Sequence, residues 1–304
     1  MNTVQTKQIL ASKPKKLRIN IIGVGKVATT MAVLWHRSNQ VHIQSVWNRS
    51  ISASRQLQHL LPHIEIISDL NDMPPAEIIV FGLRDQILPI MAEKVSRMQW
   101  MTPDTILIHF SGALASSVLM PDKKKALTGS MHPVFAFSDI DTAISTLPGH
   151  LCAIEAAEAV QPVLQILAQS AGLETFIVSS EQKARYHAAL SASANFLVAL
   201  NHYARNMLES ISIPDNLADR LVNQLMLQNL NQLQQFSPAE ALTGPISRGD
   251  MHTISKHWHS LTTQEQNLYQ ALAIQTLKLT TLSQAEQTQI KKIINYSQDE
   301  IANE

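Results

Sequence analysis

An α/β fold, a doubly wound sheet followed by an all-helical C-terminal domain, is predicted by two observations on this sequence. From residue 17 to about 180, short β-rich runs with few charges alternate with stretches whose apolar residues recur at helical spacing. Beyond about residue 180 the β signal stops and long helical patterns take over.

The strand candidates are Leu17–Ile22, Ile43–Trp47, Ile64–Ser68, Ile78–Leu83, Thr105–His109, Leu127–Met131, Leu151–Ile154 and Thr175–Val178. Val27–Ser38, Ser52–Leu61 and Ala157–Ala171 lie between them as helices, and the scarcity of charge in the strands predicts a sheet covered on both faces. In the second half, Glu181–Ile211 reads as one long helix and Asp215–Phe236 as another, capped by Pro214 and Asp215. Residues 237–250 carry two prolines and two glycines and read mostly as turn, before helices at Thr253–Leu261, Thr263–Thr280 and Gln284–Tyr296. The organisation expected is a flexible tail at 1–16, a cofactor domain at 17–180 and a helical substrate-binding and dimerisation domain at 181–304.

Composition excludes several classes of function. Lys plus Arg and Asp plus Glu balance at 24 each, so no global field favours nucleic acid or an anionic membrane. Cys152 is the single cysteine, which rules out a disulfide framework or a cysteine-based zinc site and points to a reducing, cytoplasmic location. The first sixteen residues are polar and lack the apolar stretch of a secretory signal. No window approaches the roughly 18 apolar residues of a membrane helix. His252, His257 and His259 match no standard metal spacing and read as surface residues, so no metal is expected.

The first strand candidate runs directly into Gly23-Val24-Gly25-Lys26-Val27-Ala28, the G-x-G-x-x-A fingerprint in its strand–turn–helix setting. The first glycine permits the tight turn, the second lets a pyrophosphate approach the backbone, and Ala28 keeps the helix close to the sheet. The amides at the head of the helix then face the phosphates, which makes this half a Rossmann dinucleotide domain. An NAD enzyme places an acidic residue at the end of the second strand to hold the ribose 2′-hydroxyl. Here that position reads Asn48-Arg49-Ser50, a guanidinium with neutral donors beside it, which favours the 2′-phosphate of NADP. Two further strand ends, at Leu83 to Asp85 and at His109 to Gly112, lie where open α/β sheets bind ligands. Ser111 is placed to donate to a carboxamide or to the substrate. His109 reads either as part of the site or as a hydrogen-bonded strand residue.

His187, Ser191 and Asn195 fall at i, i+4 and i+8, one polar stripe set among alanines and serine, open to a ligand or to a neighbouring helix. Hydride transfer to a carbonyl leaves an alkoxide that needs a proton, a task that suits His187, with Ser191 and Asn195 orienting the substrate. The segment Leu242-Thr243-Gly244-Pro245-Ile246-Ser247-Arg248-Gly249-Asp250 is too constrained to be a casual linker. Arg248 suits a substrate carboxylate, and Asp250 either caps the next helix or binds a substrate hydroxyl.

These segments, together with His132-Pro133, resemble the Rossmann-like proteins that carry a C-terminal domain long of unknown function, over most of residues 17–265. Wider relatives are pyrroline-5-carboxylate reductase, the deazaflavin-dependent NADP reductases and ketopantoate reductase. The resemblance implies an NADPH-dependent reductase of a small 2-oxo acid, 2-dehydropantoate to pantoate in pantothenate biosynthesis, since some members act as an alternative ketopantoate reductase. Ketopantoate reductases carry Lys-x-x-x-Asn-x-x-x-Asn where this chain has His187, Ser191 and Asn195, and a substrate-gripping Arg and Glu where it has Arg248 and Asp250. The departures are a histidine in place of the lysine proton donor and an aspartate, one methylene shorter, in place of the glutamate. The resemblance also implies a homodimer formed through the helical half. The other readings are an imine reductase like the pyrroline carboxylate enzymes and a non-catalytic NADP-binding sensor.

Overall fold

A computed structural model describes residues 16–120 and 127–295. The expected tail, apart from Lys16, and the Tyr296 end of the last expected helix lie outside them. The chain divides into two compact units, residues 1–197 and 198–304, with the division inside its longest helix.

The first unit is built as β1 Leu17–Ile22, α1 Lys26–Ser38, β2 Val41–Trp47, α2 Ile51–Leu60, β3 Glu65–Ile67, β4 Ile78–Phe81, α3 Leu88–Ser96, β5 Ile106–His109, β6 Leu127–Pro133, α4 Ile140–Thr146, β7 Leu151–Ala156, α5 Gln161–Ser170 and β8 Glu174–Ile177. The long α6, Lys183–Ser210, follows. All eight strands read from the sequence are present. They form one sheet in the order β3-β2-β1-β4-β5-β6-β7-β8, whose first six positions follow the dinucleotide-binding arrangement.

The direction of the last two strands is a finding the hydrophobic runs did not carry. β6 pairs antiparallel with β7, whereas every other neighbouring pair is parallel. The link between them holds only the short α4, which packs against α1, and Val134 N–H already bonds the carbonyl of Leu151 at 2.9 Å, so the chain turns straight back. Helices α3 and α4 were also absent from the sequence reading. Pro89 opens α3, and the Asp139 carboxylate caps α4 by accepting from Thr142 N–H at 2.9 Å.

Alternation along the central strands explains why the sheet is buried on both faces. Ile19 and Ile21 join Ile78, Val80, Ile106 and Ile108 in one layer under α1 and α5, where Trp35, Leu164 and Leu167 complete the packing. Ile22, Ile79, Phe81 and Leu107 face the other way, onto Leu88, Ala92 and Val95 of α3. Each such fully buried aliphatic side chain contributes about 1.5–3 kcal/mol. With both faces filled, the polar groups available for chemistry are confined to the ends of the strands.

The second unit is helical: α7 Asp215–Leu233, a short α8 Pro238–Ala241, α9 Met251–Ser260, α10 Thr263–Leu277 and α11 Gln284–Ile293. Ile254, Trp258, Ala273, Leu277, Ile290 and Ile294 form its core. Capping boxes start α8, α10 and α11, with Ser237, Thr262 and Ser283 paired to Glu240, Glu265 and Glu286. Helix α7 buries only Ala218 and Val222 and leaves Leu221 and Leu225 exposed, Leu225 by 61%. Among the described residues no helix is long and apolar enough to cross a membrane.

Candidate active site

The turn after β1 is as tight as its glycines allow. Gly23 adopts φ +93°, and its N–H bonds the carbonyl of Trp47 at 2.9 Å. A Cβ on Gly23 would fall 2.5 Å from a methyl of Leu83 and 2.8 Å from the Gly82 carbonyl. A Cβ on Gly82 would fall 2.3 Å from the methyl of Ala28. Gly23, Gly82 and Ala28 therefore lock the ends of β1 and β4 against the head of α1.

The turn fits a dinucleotide pyrophosphate on two further observations. Gly25 stands at the N-cap of α1 without any side-chain cap, and the first turn holds no acidic residue, so its leading amides stay open to an anion. Val24 is half-buried against the core, and Lys26 is exposed, with its ammonium on the carbonyl of Ser138. At the end of β2, the Asn48 amide donates to the Ser50 carbonyl at 3.0 Å and the Ser50 hydroxyl pairs with that of Ser52 at 2.7 Å. Arg49 is exposed and enters no ion pair among the described residues, which leaves its fork available to a 2′-phosphate.

A cavity of about 220 Å³ opens beside this turn, lined by Val27 of α1, Asp85, Ser111, Gly112, His132 and His187 among others. Ser111 is held from several sides. Its hydroxyl donates to Asp85 at 2.8 Å and accepts from Leu114 N–H at 3.0 Å, and its carbonyl accepts from the Lys183 ammonium at 2.9 Å. The Lys183 ammonium also donates to the Ser130 hydroxyl. Lys183 is 2% exposed, and burial pulls its pKa down to about 8 against the opposing charges of Glu155 and Asp85.

His109 takes the strand role of its two readings. Its Nδ1 accepts from Ser111 N–H at 3.0 Å, which puts the ring proton on Nε2, facing the Ala115 carbonyl at 3.3 Å. Burial and then the Lys183 charge push its pKa down to about 3, so it is neutral and closed to solvent. His132 is different. Its Nδ1 meets the Tyr186 hydroxyl at 2.8 Å, while Nε2 has no protein partner among the described residues. The His132 and His187 ring centroids are 5.8 Å apart and nearly perpendicular. A Cβ on Gly112 would fall 2.6 Å from the His187 ring and 2.8 Å from His132 Nε2, so only glycine fits between them.

Of the residues read from the sequence, Val27, Asp85, Ser111 and His187 thus meet at one cavity, with Gly23, Gly25 and Leu83 in the adjoining turn. Ser191 is half-buried and Asn195 exposed further along α6, and neither lines the cavity. Arg248 and Asp250 belong to the second unit. Arg248 is exposed, whereas the Asp250 carboxylate caps α9, accepting from Thr253 N–H at 3.0 Å and from the Thr253 hydroxyl at 2.7 Å. Lys183 and Tyr186 escaped sequence reading altogether. The one available signal was spacing, because Lys183 extends the i, i+4 stripe of His187 by one turn toward the helix start.

The family described as a Rossmann-like domain matches residues 1–133, and the domain of unknown function DUF2520 matches residues 150–276. No curated protein matches the sequence. Among solved structures, the chain is similar to a Bacteroides fragilis protein provisionally described as an NADP oxidoreductase, with a TM-score of 0.70 and 21% identity over 88% of this chain and 100% of that one. A Thermotoga maritima protein gives a TM-score of 0.68 and 21% identity over 86% of this chain and 97% of that one. The pyrroline-5-carboxylate reductase of Streptococcus pyogenes gives 0.59 and 16% over 92% of this chain and 99% of that one.

Proposed function

The chain belongs to the Rossmann-like proteins with a DUF2520 C-terminal domain, and from that premise we propose that it is an NADPH-dependent reductase of a small 2-oxo acid, 2-dehydropantoate giving pantoate. The observation that carries the reading is the cavity itself: polar side chains from the ends of β5, β6 and the start of α6 converge on a space that also touches the first turn of α1. That is where an open α/β sheet offers a bound dinucleotide its substrate. The provisional NADP oxidoreductase and the pyrroline carboxylate reductase among its structural neighbours support the coarser part of that reading, an NAD(P)-dependent reductase.

When bound, the cofactor supplies the hydride. The chain supplies everything else. Gly23 and Gly25 admit the pyrophosphate to the backbone, and Arg49 with Ser50 and Asn48 selects the 2′-phosphate. Ser111 hydrogen-bonds at the cavity edge with its orientation set by Asp85 and Lys183. His187 and His132 present their rings to the cavity where the carbonyl would lie, and Gly112 lets both rings close onto the backbone there. Arg248, in the second unit, is assigned the substrate carboxylate on the chemistry of its loop alone. The exposed leucines of α7 suit a homodimer formed through the helical unit.

A screen of NADPH oxidation across 2-oxo acids and cyclic imines tests the proposal. The second reading, an imine reductase, draws its support from the pyrroline-5-carboxylate reductases among the structural neighbours.

A further inference from the structure

A reductase of a carbonyl must place a proton on the oxygen as hydride reaches the carbon, and the source of that proton is the chemical question the site leaves open. His187 was the candidate from sequence. The described residues give it no hydrogen-bond partner, so nothing fixes its tautomer or supplies a proton behind it. His132 has both.

We propose that the proton comes from Tyr186 by way of His132: the Tyr186 hydroxyl donates to His132 Nδ1, and His132 presents its Nε2–H to the substrate oxygen. The inference rests on the reductase reading above. Its geometry stands on four observations. The Tyr186 hydroxyl lies 2.8 Å from His132 Nδ1. The Tyr186 ring is wedged edge-on between His132 and Phe176 of β8, at centroid distances of 5.7 and 6.0 Å. Nε2 is the ring nitrogen left without a protein partner among the described residues, and it lies beside Gly112 at the cavity. His132 lines the cavity while Tyr186 does not, so Tyr186 acts only through the imidazole.

The charges around the pair keep each member in the form required. Burial, then His187, then Lys183 push the His132 pKa down to about 4, so the ring is neutral at pH 7 and carries a single proton. Burial pushes the Tyr186 phenol up to about 12, so its hydroxyl keeps the proton that the relay needs it to donate to Nδ1. A neutral imidazole whose Nδ1 accepts has its proton on Nε2. The groups facing the pair are His187, Lys183, the Cys152 thiol and, across Ser111, Asp85.

As hydride from the reduced nicotinamide reaches the carbonyl carbon, the oxygen takes the Nε2 proton, the Nε2–H bond breaks and the product O–H bond forms. The Tyr186 O–H bond breaks as its proton moves to Nδ1, leaving a tyrosinate beside a neutral imidazole. Transfer from a phenol near 12 to an alkoxide runs downhill, and no free imidazolate forms. After product leaves, water returns a proton to Nε2 and the Nδ1 proton goes back to the tyrosinate.

The test uses the full chain labelled with ¹⁵N in histidine, with the His132 signals assigned through His132→Gln. The expected result at pH 7 is a neutral His132 with its proton on Nε2, and a mixture of both tautomers in Tyr186→Phe. The same variant should lose about 100-fold in kcat on the 2-oxo acid that the wild type reduces, at unchanged NADPH affinity and unchanged Tm, with a smaller solvent deuterium isotope effect. A wild-type His132 protonated on Nδ1, or a Tyr186→Phe enzyme with wild-type kcat, overturns the relay. A wild-type chain that oxidises NADPH with no carbonyl compound overturns the reductase reading itself, an outcome distinct from the other two.

Discussion

The buried ammonium of Lys183 donates to the carbonyl oxygen of Ser111 at 2.9 Å, joining the start of α6 to the end of β5 across 72 residues of sequence. This bond fixes the backbone from which Ser111 reaches Asp85, and it sets a positive charge behind His132 and His109. A lysine accepts this position at a cost that depends on pH.

Because the folded pKa of Lys183, about 8, lies below its ordinary 10.5, the unfolded chain binds more protons between those values. Stability from this group is therefore lowest below pH 8 and rises as pH climbs toward 10.5, by on the order of 3 kcal/mol in total. Denaturant titrations at pH 7 and pH 9.5 should show the wild type gaining stability relative to Lys183→Met over that interval. An equal pH response in both proteins would remove the charge from the account.

Gly112 should tolerate no side chain. The added methyl of Gly112→Ala would press on both His187 and His132, and displacements of about 1 Å in a reacting group cost about 100-fold in rate. The turnover number should fall by that order while NADPH affinity stays near wild type. An active Gly112→Ala enzyme would mean that the reaction occurs elsewhere.

The fold was far more legible than the site. Eight strands were readable because fully buried β-runs such as Ile78–Phe81 carry no charge. Strand direction was not, since the hydrophobic content of β7 is the same whichever way it runs, and the reversal depends on the short α4 link. Helix α4 is too short for its apolar spacing to show, and its one local mark is the Asp139 cap. The glycine turn and the Arg49 segment were visible as local motifs. His187 was found through its helical stripe, yet the stripe's other members, Ser191 and Asn195, lie outside the cavity. Tyr186 and Lys183 meet His132 and Ser111 across 54 and 72 residues, contacts that no local spacing encodes. Asp250 had two readings, and the contacts with Thr253 occupy both carboxylate oxygens in capping α9.

Arg49→Ala should weaken NADPH binding by about 10- to 100-fold, the loss expected for charge-assisted bonds to a phosphate, and leave NADH nearly unchanged. Titrating both nucleotides by fluorescence measures the difference. Equal losses for the two would assign Arg49 to a part of the nucleotide that they share.

The two cavity histidines should separate kinetically. His132→Gln should lower kcat by about 100-fold or more, as loss of the proton-delivering group does, and His187→Ala should lower it less. Arg248→Ala should raise KM for a carboxylate substrate more than for its amide. Steady-state kinetics on the three variants distinguish these roles, and a larger kcat loss in His187→Ala than in His132→Gln would return the donor to His187.

Leu225 is 61% exposed on α7, beside the also exposed Leu221. If this face closes a homodimer, sedimentation at micromolar concentration should give a dimer for the wild type and a monomer for Leu225→Glu. A monomeric wild type would contradict the pairing.

The central claim is tested most directly by following NADPH oxidation by the purified chain with 2-dehydropantoate, alongside other small 2-oxo acids and pyrroline-5-carboxylate. Turnover with 2-dehydropantoate, pantoate as product and a marked preference for NADPH over NADH are expected. Reduction of the cyclic imine with no turnover of any 2-oxo acid would contradict it.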